Sequence, residues 1–127
     1  MEKRKIFICE DDLAIADVLK TVLEDEGFEV LVETKSVLAF GKLSLYKPHA
    51  IITDLQMPIV SGDMLIQAIR RDRQLKNTFI LCLTANDRGR EIALDSGANM
   101  VMHKPFEMEQ LAAILDSVLF AKNDVKR

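Results

Sequence analysis

Asp54 ends a short apolar run, His49-Ala50-Ile51-Ile52-Thr53-Asp54, where a carboxylate has no core to pack. Glu10 and Asp11 follow an earlier apolar run, Thr84 closes another, and Lys104-Pro105 follows the last. In α/β proteins, chemistry gathers just outside the carboxyl ends of strands. Carboxylate oxygens are hard ligands suited to magnesium, which keeps several waters and also joins phosphate oxygens. Two carboxylates about 5 Å apart repel by roughly 3 kcal/mol at an effective dielectric of about 20. A trio of acids therefore needs a counter-charge or a retained proton. A divalent metal on one side and Lys104 on the other would meet that need. Such a pocket suits Asp54 to attack phosphorus, with charge on the phosphoryl oxygens stabilised by metal and lysine. Thr84 would then hydrogen-bond a phosphoryl oxygen.

These residues meet only if the elements bring the run ends together. Apolar runs at 5–9, 28–32, 50–53, 79–83 and 100–103 alternate with five amphipathic stretches. Central runs such as Ile80-Leu81-Cys82-Leu83 are continuous, as expected of parallel strands buried on both faces. The alternation predicts an α/β fold: a five-stranded parallel sheet with right-handed crossovers and helices on both faces. In the flavodoxin-like order 2-1-3-4-5, strands one and three are neighbours at the topological switch point. Glu10 and Asp11 then face Asp54, and Thr84 and Lys104 arrive from strands four and five.

The first helix is expected from about Leu13, with Ile15, Val18, Leu19, Val22 and Leu23 as its apolar stripe and Gly27 as its left-handed stop. A middle helix turns Leu65, Ala68 and Ile69 inward and Arg70, Arg71 and Arg73 toward solvent. The last helix carries Leu111, Ile114, Leu115, Val118 and Leu119. The stretch 36–46 is less regular and contains Gly41. The fourth helix, with Ile92 and Leu94 as its large apolar residues, is expected to be the least firmly held.

The 127 residues, 49% hydrophobic and 29% charged, suit one domain spanning 1–127, with a polar tail from about 122 that is expected to fray. Net charge is −3 without a clustered basic tract, which argues against direct nucleic-acid binding. No apolar run approaches the roughly 20 residues of a membrane span, and the basic start is followed by too short an apolar run for a signal peptide. A cytoplasmic location, with no membrane partner, is the expectation. Cys9 and Cys82 fall in separate strands and read as inert core thiols.

Five signals in order carry a family resemblance: Cys9-Glu10-Asp11-Asp12, Asp54-Leu55-Gln56-Met57-Pro58 with Gly62 and Leu65, Leu83-Thr84-Ala85, Ser96-Gly97-Ala98, and Lys104-Pro105-Phe106. Together they resemble, end to end, the receiver domain of bacterial two-component response regulators. The resemblance implies a CheY-like flavodoxin fold and a phosphoacceptor switch rather than an enzyme proper, one that takes part in its own phosphotransfer and autodephosphorylation. It implies Asp54 as phosphoacceptor, and Mg2+ (or Mn2+) held by Glu10, Asp11, Asp54 and the backbone carbonyl of Gln56. Glu10 would act through metal-bound water. Thr84 resembles the switch hydroxyl and Lys104 the phosphate-contacting lysine, and Pro105 follows a cis peptide bond in this family. The implied donor is a sensor histidine kinase or phosphotransfer protein, and the output is a separate protein or a fused effector.

Two departures fall on the output face. The family usually places Tyr or Phe three residues before the lysine, where this chain has Val101, and the stretch from Thr84 to Lys104 is slightly short. Val101 and Pro105 thus join Thr84 as the positions that bear on switching. Asp12 reads as a helix cap rather than a ligand. A pseudo-receiver that binds partners without switching is the main alternative. A phosphatase with an aspartate nucleophile of the haloacid dehalogenase type is another, but it needs an acid two residues after Asp54, where Gln56 stands.

Overall fold

The computed structural model describes residues 3–125, with side chains described through Phe120. Met1, Glu2, Lys126 and Arg127, the last two at the end of the expected tail, lie outside the described residues. In chain order the elements are β1 (Lys5–Cys9), α1 (Leu13–Asp25), β2 (Glu29–Glu33), α2 (Ser36–Tyr46) and β3 (Ala50–Asp54). They continue with α3 (Gly62–Arg71), β4 (Phe79–Thr84), α4 (Gly89–Ser96), β5 (Met100–His103) and α5 (Met108–Val125). The strands form one parallel sheet in the order β2-β1-β3-β4-β5, as expected.

Strand side chains alternate between two cores. Ile6, Ile8, Ile52, Leu81 and Leu83 pack with Leu19 and Leu23 of α1 and Leu111 and Leu115 of α5. Phe7, Cys9, Ile51, Ile80 and Cys82 pack on the other face, with residues of α2, α3 and α4. One cross-strand row, Glu33, Cys9, Thr53, Cys82 and Val101, runs through all five strands. Thr53 separates the two cysteines, both buried and free, and burial pushes each thiol up to about 12.

Local chemistry sets the element ends. Asp12 caps α1, accepting from the Ala14 and Ile15 amides at 3.0 and 3.1 Å. Gly27, at φ 100, stops α1 as expected, and the Phe28 amide then donates to Leu23 O at 3.1 Å. That bond keeps Phe28 out of the ladder, so β2 begins at Glu29, one residue later than its apolar pattern suggests. Phe28 still fills the core and stacks on Phe120, with ring centroids 5.2 Å apart. The buried line of α1 is Ala16, Leu19 and Leu23, while Val18 of the expected stripe is exposed. In α4 the buried residues are Gly89 and Ala93, both small, so this helix offers little apolar anchorage. The backbone of α5 stays helical to Val125, past the point at 122 where the sequence suggests a fraying tail.

The structure corrects the reading of Arg70 as part of a solvated face. Its guanidinium donates to Gly97 O, Lys76 O, Thr78 O and Asn99 Oδ1 at 2.7–2.8 Å, tying α3 to the turns that flank β4. A side chain that spans three backbone carbonyls acts as a clamp. Arg73 lies beyond the end of α3.

Glu33 closes β2 with a buried carboxylate that accepts from the Lys35 amide at 2.8 Å and pairs with Lys42. Burial raises its pKa, but Lys42 and the adjoining amides more than offset this, leaving it below the usual range. A depressed carboxylate stabilises the fold above its unfolded pKa and loses that contribution as pH falls through its folded one. Glu33→Gln should therefore unfold earlier in urea than wild type at pH 7, by on the order of 1 kcal/mol. The gap should close below about pH 4, the ordinary glutamate range; a gap that widens in acid would contradict this assignment.

Candidate functional site

The carboxyl edge gathers most of the expected residues. Oxygens of Glu10, Asp11 and Asp54 lie within 4.8 Å of one another, Glu10 and Asp54 buried and Asp11 exposed. They converge because β1 and β3 are adjacent and in register, so the ends of both strands open onto one point. Lys104, directly after β5, reaches across to place its Nζ 3.0 Å from Glu10 Oε1 and 3.2 Å from Asp54 Oδ1. The Leu55 amide also donates to Asp54 Oδ1, at 3.0 Å, and the Asp12 amide to Glu10 Oε2 at 3.2 Å. The Lys104–Pro105 peptide is cis, as the resemblance implies.

Burial pushes the Glu10 carboxyl above its usual range, and Lys104 only partly offsets this. Asp54 is raised as well, chiefly by burial and further by Asp11, against the pull of Lys104. Burial draws Lys104 down, but Glu10 and Asp54 outweigh it and hold the ammonium charged. The pocket thus carries more negative charge than one lysine neutralises. The donor set suits a hard divalent cation: all oxygen, convergent, and open to solvent through Asp11. Gln56 lies two residues past Asp54, exposed in the following turn.

Thr84 reaches the edge but its hydroxyl is committed elsewhere. It is buried, and its Oγ1 accepts from the Asn86 amide at 3.0 Å. Its carbonyl accepts from the Lys104 amide at 2.7 Å, which joins the lysine backbone to the same strand end. Val101 sits half-buried against the core under α4, beside Cys82 in register. Asp12 caps α1 and holds no place in the acid trio.

Gly89 was not singled out from sequence. A Cβ there would lie 2.1 Å from Thr84 Oγ1 and 2.8 Å from Thr84 Cβ, so the first turn of α4 rests directly on the threonine. The available signal was a glycine inside the polar run Arg88-Gly89-Arg90, where no tight turn demands one. Gly62 plays a related part at α3, since a Cβ there would meet Asp54 O at 2.2 Å and Leu55 Cα at 2.7 Å. Its amide donates to Leu55 O at 2.7 Å, drawing the turn after Asp54 tight.

Two measurements probe this geometry. Mg2+ should raise the unfolding midpoint of the wild type, and a chelator should reverse the effect. In chelator, Asp54→Asn should be more stable than wild type by roughly 1 kcal/mol, because a neutral group relieves the crowded carboxylates. An Asp54→Asn protein less stable than wild type would contradict that charge balance. Gly89→Ala should cost about 1–3 kcal/mol through overpacking. Part of that cost should vanish in a Thr84→Ala background, giving a coupling of at least about 0.5 kcal/mol in a double-mutant cycle; strict additivity would show that the two residues do not press on each other.

A family model for the response regulator receiver domain matches residues 6–116. The transcriptional regulatory protein CpxR homolog of Haemophilus influenzae is 31% identical over 118 residues, covering 91% of this chain and 50% of that protein. The chain spans about half the length of the curated relatives it matches. Among solved structures, chemotaxis protein CheY4 of Vibrio cholerae superposes with a TM-score of 0.86 at 29% identity, covering 93% of this chain and 100% of that one. The receiver domain of sensor histidine kinase PA1611 from Pseudomonas aeruginosa, with magnesium coordinated in its active site cleft, gives 0.83 at 26% identity, covering 91% and 96%. A CheY-like sheet with acids and a lysine at its carboxyl edge agrees with the family match, and the chain belongs to the receiver domains of two-component response regulators.

Proposed function

We propose that Asp54 accepts a phosphoryl group from a phosphorylated histidine of a sensor histidine kinase or phosphotransfer protein, and that the domain thereby switches its partners. The observation that carries this reading is the Lys104 ammonium set between Glu10 and Asp54, with Asp11 alongside. A carboxylate oxygen of Asp54 attacks phosphorus and forms the new P–O bond. The bond from phosphorus to the donor imidazole nitrogen breaks, and that nitrogen keeps the electron pair. Glu10, Asp11, Asp54 and the carbonyl of Gln56 would hold Mg2+ or Mn2+. When bound, the metal offsets charge on the phosphoryl oxygens. Lys104 is already placed to exchange its contact with Asp54 for one with a phosphoryl oxygen.

The switch follows from the hydroxyl of Thr84. To donate to a phosphoryl oxygen it must turn its proton away from Asn86 O, 3.5 Å off, so phosphorylation and the 85–88 loop compete for one donor. Gly89 rests on the same side chain, which makes α4 the element that registers the exchange. Val101 brings no ring to this event, which favours α4 over β5 as the route outward. The output is a protein surface or a fused effector, and the domain acts in the cytoplasm with its kinase.

The test is incubation with Mg2+ and acetyl phosphate, or with beryllofluoride. Mass spectrometry should show one phosphoryl group on the wild type and none on Asp54→Asn. Amide shifts induced by beryllofluoride should reach α4. An unmodified wild type would sink the phosphoacceptor reading. Shifts confined to the three acids and Lys104 would instead support a pseudo-receiver.

A further inference from the structure

The outward face of α2 is apolar along its length. Val37, Leu38 and Leu45 are 55%, 48% and 88% exposed, while Ala39 and Leu43 fill the core from the opposite side. At about 100° per residue, Val37, Gly41, Leu45 and Leu38 fall within an arc of roughly 100°. A surface helix ordinarily turns polar residues that way. Gly41 lies mid-face with open space where a side chain would project, leaving a notch between Val37 and Leu45. Ile59 extends the face, 82% exposed and held at φ 70, a conformation that β-branched residues avoid. A cavity of about 270 Å³ lined by Asp11, Thr34, Lys35, Val37, Pro58 and Ile59 joins the face to the rim of the acid site.

Charge decides what fits here. Residues 34–48 carry Lys35, Lys42 and Lys47 and no acid, within a chain of net charge −3. Lys42 is paired with Glu33, Glu29 accepts from the Tyr46 hydroxyl at 2.9 Å, and Asp11 stands at the far end of the cavity, where the face meets the acid site. Lys35 and Lys47 are exposed at the two ends of the helix. Two copies packed antiparallel through this face would set Lys35 of one against Lys47 of the other, with no acid on the helix to pair them. A flat bilayer surface makes no use of a notch. A helix ridge does fit between Val37 and Leu45.

We propose that the α2 face, with Ile59 at its edge, docks an amphipathic helix of a partner protein whose apolar stripe is flanked by acids. This interface lies beside the acid site and stands whether or not Asp54 is phosphorylated. The test titrates isotope-labelled protein with two synthetic amphipathic helices that share one leucine stripe, the first flanked by glutamates and the second by lysines. Phosphatidylglycerol vesicles and sedimentation of the protein alone complete the set. The glutamate peptide alone should shift amides of α2 and Ile59, more weakly as salt is added. Replacing both exposed leucines, Leu38→Glu with Leu45→Glu, should weaken it by at least about tenfold without moving the unfolding midpoint. Equal binding of the two peptides, shifts centred on another face, vesicle binding, or a dimer abolished by the double substitution would each overturn the proposal.

Discussion

One ammonium group balances the carboxyl edge. Lys104 stands between two buried carboxylates that, with Asp11, crowd into a space where like charges repel by several kcal/mol, roughly, at an intermediate dielectric. Its position is set by the backbone, because the Lys104 amide extends the β4–β5 ladder to Thr84 O. The threonine at that junction carries α4 through Gly89. Charge balance, sheet pairing and the seat of a helix therefore meet at two adjacent strand ends.

The edge divides into a fixed floor and a more adaptable rim. Glu10, Asp54 and Thr84 are buried and held by strands paired on both sides. Asp11, Gln56 and the 85–88 loop are exposed. A fixed floor keeps the carboxylates crowded, so entry of positive charge or of a phosphoryl group is felt at the rim. There the backbone is held by single hydrogen bonds, such as Asn86 N to Thr84 Oγ1, that exchange at little cost.

The sheet order, the five helices and the convergence of Glu10, Asp11, Asp54 and Lys104 were legible in the chain, because apolar periodicity and strand-end acids are local signals. What was not legible depends on contacts between distant segments. Arg70 reads as one of three solvent-facing arginines until the turns at 76–78 and 97–99 supply its carbonyl and amide acceptors. Thr84 reads as aimed at the acids until the Asn86 backbone engages its hydroxyl from both sides. Phe28 reads as a strand residue until its amide caps α1. Gly89 has meaning only through the threonine beneath it.

The row that holds Cys9, Thr53 and Cys82 also has a practical side. Both thiols are fully shielded, with deprotonation pushed up to about 12, and a threonine keeps them apart. The thiolate is the species that alkylating reagents attack, so neither native sulfur competes for them near neutral pH. A cysteine introduced on the surface is then the reactive one, and a fluorophore or spin label can be attached there without first stripping the core of its own sulfur.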